Sequence, residues 1–295
     1  MPTSARSASS SRPRRRRSSR SEPADVPPDT GPAGPVREGW MAQRRGEQAA
    51  RADWLLGVHA VTAALEAGRS IDLIWIQKGR RDRRLQRIVE RAADRNVPVR
   101  FVPRENLERI ASGRPHNGVA ARTAPRSFVS VEELVRPAGE AGRLILLDGV
   151  TDPHNVGAVI RSAAAFGIDG VILAGPGVPP LGGAVAAAAA GHLERVPVAR
   201  AKVAGDTLRT LREAGYWALG AEAGGTPLWA VRPPDRWVLA LGSEGRGLRA
   251  KTRAFLDDTL AIPMKPGVES LNVSVAAAIL AYALTEAGRS DQSGP

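Results

Sequence analysis

From Arg143 to the end of the chain, short apolar runs alternate with stretches of helical periodicity, and no other feature constrains the fold as strongly. The strand-like runs are Leu144–Leu147, Val171–Leu173, Val196–Ala199, Trp217–Ala221, Trp237–Leu241 and Thr259–Ile262. Ala158–Phe166, Ala184–Ala190, Thr207–Ala214 and Val273–Thr285 carry helical patterns. Such alternation predicts an α/β fold with a mainly parallel sheet covered by helices. Ligands of these sheets bind beyond the carboxyl ends of strands. The loops after Leu147, Leu173, Leu241 and Ile262 are therefore the places to look for chemistry.

Residues 53–124 read as a separate small α/β unit. Leu55-Leu56-Gly57 precedes an apolar-periodic helix at His59–Ala67, and Ile71–Gln77 alternates like a strand. Asp82–Arg95 is a basic amphipathic helix with Leu85, Ile88, Val89 and Ala92 on one face. Val97–Val102 and Gly118–Arg122 read as strands, with a short helix at Arg104–Ile110 between them. Residues 125–141, with Pro125, Pro137 and Gly139, suit a linker to a domain at 142–288. Residues 1–52 are Ser-, Pro-, Arg- and Gly-rich, with too few apolar side chains to repay ordering, and are expected to be disordered, as are 289–295. The basic run Arg14–Arg17 fits either a non-specific RNA-binding arm or a solubilising tail. The Arg- and Ser-rich composition also leaves an organelle transit peptide open.

The net charge is +12, and its position matters more than its size. Residues 1–52 and 53–124 each carry a net +6, whereas 125–295 carry none. A polyanion is drawn to the first two segments. There is no cysteine, which excludes disulfides and thiolate metal sites and fits a reducing cytoplasm. The histidines His59, His116, His154 and His192 are scattered, so no metal is expected. No apolar run is long enough for a membrane span.

Three loops are rich in polar residues and glycine: Asp148–Gly157 (DGVTDPHNVG), Gly242–Gly247 (GSEGRG) and Ile262–Asn272 (IPMKPGVESLN). Common nucleotide motifs do not account for them. No G-x-G-x-x-G follows the first strand of this domain, and no Walker A sequence occurs. Ser243 lies out of register for a G-x-S-x-G nucleophile elbow. Taken singly, Asn155 reads as a helix N-cap and Glu244 as an acid at a helix N-terminus.

Taken together, the loops resemble the SpoU-type branch of the SPOUT methyltransferases, which act on RNA ribose 2'-oxygens. The first motif is matched by Asn155, Gly157, Arg161, Phe166 and Gly167. The second is matched by Leu241, Gly242, Glu244, Gly245, Gly247 and Leu248. The third is matched by Ile262, Pro263, Met264, Ser270, Leu271, Asn272, Val273 and Ser274. A weaker likeness in LLGVHAVTAAL and HNGVAA links residues 55–122 to the ribosomal-protein-like RNA-binding domain of many members.

The resemblance implies a deep C-terminal trefoil knot and a homodimer with active sites at its interface. It implies S-adenosylmethionine as cofactor, held around Gly242, Ile262, Leu271, Met264, Leu241 and Glu244. Arg161 is then expected to stabilise a developing alkoxide, since a guanidinium stays protonated and makes a poor base. Asn155 and Glu244 would orient it, while Ser270 and Asn272 hold the substrate or the loops. The substrate domain favours 23S rRNA, with guanosine as the expected target. A tRNA enzyme, a resistance methyltransferase acting on rRNA and a non-catalytic RNA-binding protein are the alternatives. One departure stands out: relatives carry a serine-containing turn before the VPVAR strand, where this chain has Ala189 and His192 in an alanine-rich stretch.

Overall fold

The computed structural model describes residues 53–136 and 140–290. The expectations for 1–52 and 291–295 fall outside the described residues.

The first unit is a four-stranded sheet in the order β1-β4-β2-β3. Its strands are β1 (Asp53–Leu56), β2 (Leu73–Gln77), β3 (Val99–Val102) and β4 (Val119–Thr123). Helices α1 (Val58–Glu66), α2 (Arg83–Asp94) and α3 (Arg104–Ala111) cover it. β4 runs antiparallel to β1 and β2, while β3 is parallel to β2. Helix α2 starts where the Asp82 side chain accepts the Arg84 backbone N–H. It buries Leu85, Ile88 and Ala92 and leaves Arg83, Arg84 and Arg87 exposed. This matches the amphipathic reading of the sequence.

The second unit is a six-stranded, wholly parallel sheet in the order β10-β8-β9-β5-β6-β7. The strands are β5 (Gly142–Asp148), β6 (Gly170–Ala174), β7 (Val198–Ala201), β8 (Trp217–Pro227), β9 (Arg236–Gly242) and β10 (Asp258–Ala261). Helices α4 (Pro153–Ala165), α5 (Gly183–Ala188), α6 (Ala204–Glu213), α7 (Ala250–Arg253) and α8 (Val273–Ser290) connect or follow them. Leu144–Leu147, Val171–Leu173 and Trp237–Leu241 are buried throughout, as central strands packed on both faces must be. β6 and β7 extend the sheet on one side of β5, whereas β9, β8 and β10 lie on the other. Strand order reverses between β5 and β9, and crevices for ligands form at such switch points.

Several boundaries differ from the sequence reading. β1 is a strand, its residues pairing with Ala120–Thr123. β8 runs on to Pro227 because β10 pairs with Thr226 and Pro227. Helix α8 continues to Ser290, two residues into the stretch expected to be disordered. The linker is not free: Leu134 is buried, Arg126 bridges to Leu181 and Val129 to Ala199. The two units are also tied directly, by Arg69 Nη1 donating to Glu194 Oε1 at 2.8 Å. The alanine-rich stretch has a packing cause. A Cβ on Gly157 of α4 would lie 2.4 Å from the Ala188 Cβ of α5, so these helices meet where only minimal side chains fit. Ala189 is fully buried beside them.

Candidate active site

The loop after β9 folds back on its own strand. Gly247 N–H donates to the Ser243 carbonyl at 2.9 Å, and Gly245 and Gly247 take φ of 79° and 62°. Glycine reaches these values without the clash a Cβ brings. Beneath this loop lies a cavity of 410 Å³. Leu241, Gly242, Glu244, Ile262, Met264 and Leu271, the residues proposed to hold a ligand, all line it, and so does Ser270. Ala276 and Leu280 of α8 complete the apolar wall. Of the four candidate strand ends, those after Leu241 and Ile262 build this cavity, and the loop after Leu173 contributes nothing to it.

Asn155, Glu244 and Asn272 form one hydrogen-bonded network that joins the three loops. Asn272 Nδ2 donates to Asn155 Oδ1 at 2.9 Å and to Glu244 Oε1 at 2.7 Å. Asn155 Nδ2 donates to the same carboxylate oxygen at 3.2 Å. Asn272 Oδ1 accepts from the Ser274 backbone N–H and hydroxyl at 2.9 and 2.6 Å, which fixes the amide at the start of α8. Asn155 is not a helix cap. Asp152 caps α4 by accepting the His154 N–H, which leaves the Asn155 amide for the network. Glu244 sits in the Ser243–Gly247 turn rather than at a helix end. Both of its donors are neutral amides, so the network holds a carboxylate without cancelling its charge.

Arg161 is not part of this network. It lies six residues beyond Asn155 on α4, exposed, and no hydrogen bond joins it to Asn155 or Glu244. His154, Arg161 and Ala165 share the helix's exposed stripe, one face by their i, i+7, i+11 spacing. Nearby, the Nδ1 of His192 is enclosed without a partner. Burial, and then the charges of Arg195, Arg161 and His59, hold its pKa below the ordinary histidine value.

Sequence reasoning missed two features. Asp148, buried at the end of β5, accepts from Arg249 N–H at 3.2 Å and Thr252 Oγ1 at 2.7 Å, which pins the far end of the glycine loop. An acid closing an apolar strand was the available signal. Ala221, Glu222 and Ala223 of β8 and Arg253 of α7 also line the cavity. Among the described residues, no cluster of His, Asp or Glu could hold a metal ion, and no helix is long and apolar enough to cross a membrane.

Residues 142–282 match the model of the SpoU rRNA Methylase family. Residues 54–129 match the RNA 2'-O ribose methyltransferase substrate binding model. A TrmH family tRNA/rRNA methyltransferase of Staphylococcus haemolyticus is 36% identical over 232 residues, covering 77% of this chain and 93% of that protein. The 23S rRNA (guanosine-2'-O-)-methyltransferase RlmB of Neisseria meningitidis serogroup B is 37% identical over 229 residues, covering 77% and 92%. The fold also matches the SpoU methyltransferase AviRb of Streptomyces viridochromogenes, solved with AdoMet, at a TM-score of 0.68 and 23% identity over 89% of this chain and all of that one. On the strength of its curated relatives and of a motif set drawn into one network, the chain belongs to the SpoU rRNA methylase family of RNA methyltransferases.

Proposed function

We propose that the protein transfers the methyl group of S-adenosylmethionine to a ribose 2'-oxygen of 23S rRNA, on guanosine, as a homodimer. One observation carries this reading: the Asn155–Glu244–Asn272 network joins all three motif loops beside the cavity. The cavity suits the cofactor. Leu241, Ile262 and Leu271 offer apolar surface to a flat adenine, and Gly242 lets a ligand approach the backbone. The uncancelled Glu244 carboxylate suits a sulfonium.

When bound, the cofactor supplies an electrophilic methyl group. The chain's own residues orient the ribose and stabilise the negative charge that grows on its oxygen as the hydroxyl proton passes to solvent water. A neutral asparagine pair positions Glu244, and Arg161 provides the positive charge. Alanine at Asn155 or Asn272 is expected to lower kcat by about 10–100-fold while cofactor affinity, read by calorimetry, stays within threefold.

The separation of Arg161 from the network supports a site shared between two copies. Val275, Ile279 and Tyr282 of α8 form an i, i+4, i+7 stripe that is 46%, 37% and 54% exposed. No charged residue occurs between Val273 and Thr285. Tyr282 packs edge-on against Phe166 at the end of α4, so this apolar stripe adjoins the helix that carries Arg161. A second copy seated there covers the stripe and brings its Arg161 to the site. The trefoil knot belongs to the same reading. Residues 262–272 lead from the edge strand β10 back to Asn272, which bonds Asn155 beyond the central strand β5, and this return supports it.

RNA affinity is assigned to the ribosomal-protein-like unit at 53–124 and its excess positive charge. Reversing Arg83 and Arg87 to glutamate is expected to raise KM for RNA about tenfold and flatten its salt dependence, with kcat unchanged. The reading is tested by incubating deproteinised 23S rRNA and tRNA separately with labelled cofactor. Label entering 23S rRNA supports it, and label confined to tRNA assigns the other substrate.

A further inference from the structure

The cavity carries an ion pair that the methyl-transfer chemistry does not use. In the β8–β10 ladder, Thr259 pairs with Gly220 but Leu260 pairs with Thr226, so residues 221–225 leave the ladder. This excursion carries Glu222 to the cavity. There its carboxylate Oε1 accepts from Arg253 Nε. Arg253 closes the short helix α7, next to Thr252, which is buried and tied to Asp148. Its guanidinium lies along the glycine loop, since a Cβ on Gly247 would come within 3.7 Å of it.

The two side chains are 26% and 52% exposed, and a pair so open to water adds little to stability. An interruption of the sheet that delivers a charged pair to a ligand cavity calls for a ligand with both signs of charge. Resting on the cofactor assignment above, we infer that Arg253 and Glu222 bind the amino-acid end of S-adenosylmethionine, Arg253 its carboxylate and Glu222 its ammonium group. The adenosine then lies against the apolar wall, and the sulfonium falls toward Glu244 and the asparagines. Arginine presents a planar fork that matches a carboxylate in two parallel hydrogen bonds, and glutamate offers acceptors to an ammonium. The two side chains satisfy each other, so the zwitterion exchanges one pair for two.

Calorimetry on the full-length protein with S-adenosylhomocysteine and 5'-methylthioadenosine separates the parts of the ligand, since the second lacks the amino acid. Arg253→Ala and Glu222→Gln are each expected to weaken S-adenosylhomocysteine about tenfold and to leave 5'-methylthioadenosine within twofold of wild type. Arg253→Lys should recover part of the loss, because it keeps the charge and loses the fork. Equal weakening of both ligands, or weakening of neither, overturns the inference while leaving the cofactor assignment intact. Wild-type protein that binds neither ligand overturns both.

Discussion

Replacement of Arg161 by alanine is expected to lower kcat by about 10²–10³-fold with cofactor affinity and thermal stability unchanged, the range seen when one donor to a developing oxyanion is removed. The side chain is exposed and hydrogen-bonds to none of the network residues, so its loss should not disturb the fold. Lysine should restore only part of the rate, because a point charge does not reproduce the planar fork. A mixing experiment decides whose site Arg161 serves. If the protein is the proposed homodimer, equal amounts of Arg161→Ala and Glu244→Ala subunits, unfolded and refolded together, form mixed dimers as about half of the population. If Arg161 acts on the partner's site, each mixed dimer has one intact site, and about a quarter of wild-type activity returns. If it acts within its own subunit, none returns.

Gly242→Ala is expected to remove cofactor binding and to cost about 1–3 kcal/mol of stability, as overpacking does. An added Cβ would lie 1.9 Å from the Gly247 carbonyl carbon, 2.2 Å from its oxygen and 2.3 Å from the Leu248 nitrogen. All three are backbone atoms, so no rotamer change relieves the clash. The glycine loop must lift off β9, and the wall it gives to the cavity moves with it. Thermal unfolding and calorimetry with S-adenosylhomocysteine check this together. Binding within threefold of wild type would show that the loop is not part of the cofactor site.

The contrast between these two residues reflects what a sequence can carry. The parallel sheet was legible because Leu144–Leu147 and Trp237–Leu241 are uninterrupted apolar runs, as strands buried on both faces must be. β1 was missed because four residues, DWLL, show no period and acquire their state by pairing with β4. The far half of β8 was missed because its Gly-Gly-Thr-Pro reads as a turn, whereas β10 holds it as strand. The same ladder excursion kept Glu222 out of view, since it is a property of two strands and not of either alone, and Arg253 ends a four-residue helix too short to show a period. The loops, by contrast, advertised themselves through glycine and polar density, and every residue proposed to hold the cofactor lines the cavity. The direction of Arg161 was missed because the helical pattern was read from Ala158, whereas α4 starts at Pro153 and so carries Asn155 as well. Six residues along a helix turn it well away from Asn155.

Alkaline digestion of labelled RNA tests the central claim most directly. A methyl group on a ribose 2'-oxygen blocks cleavage at the following phosphate, because that hydroxyl is the internal nucleophile. 23S rRNA methylated by the protein with labelled cofactor should therefore release its label as an alkali-resistant dinucleotide whose 5' residue is guanosine. Label released in mononucleotides places the methyl group on a base and contradicts the account.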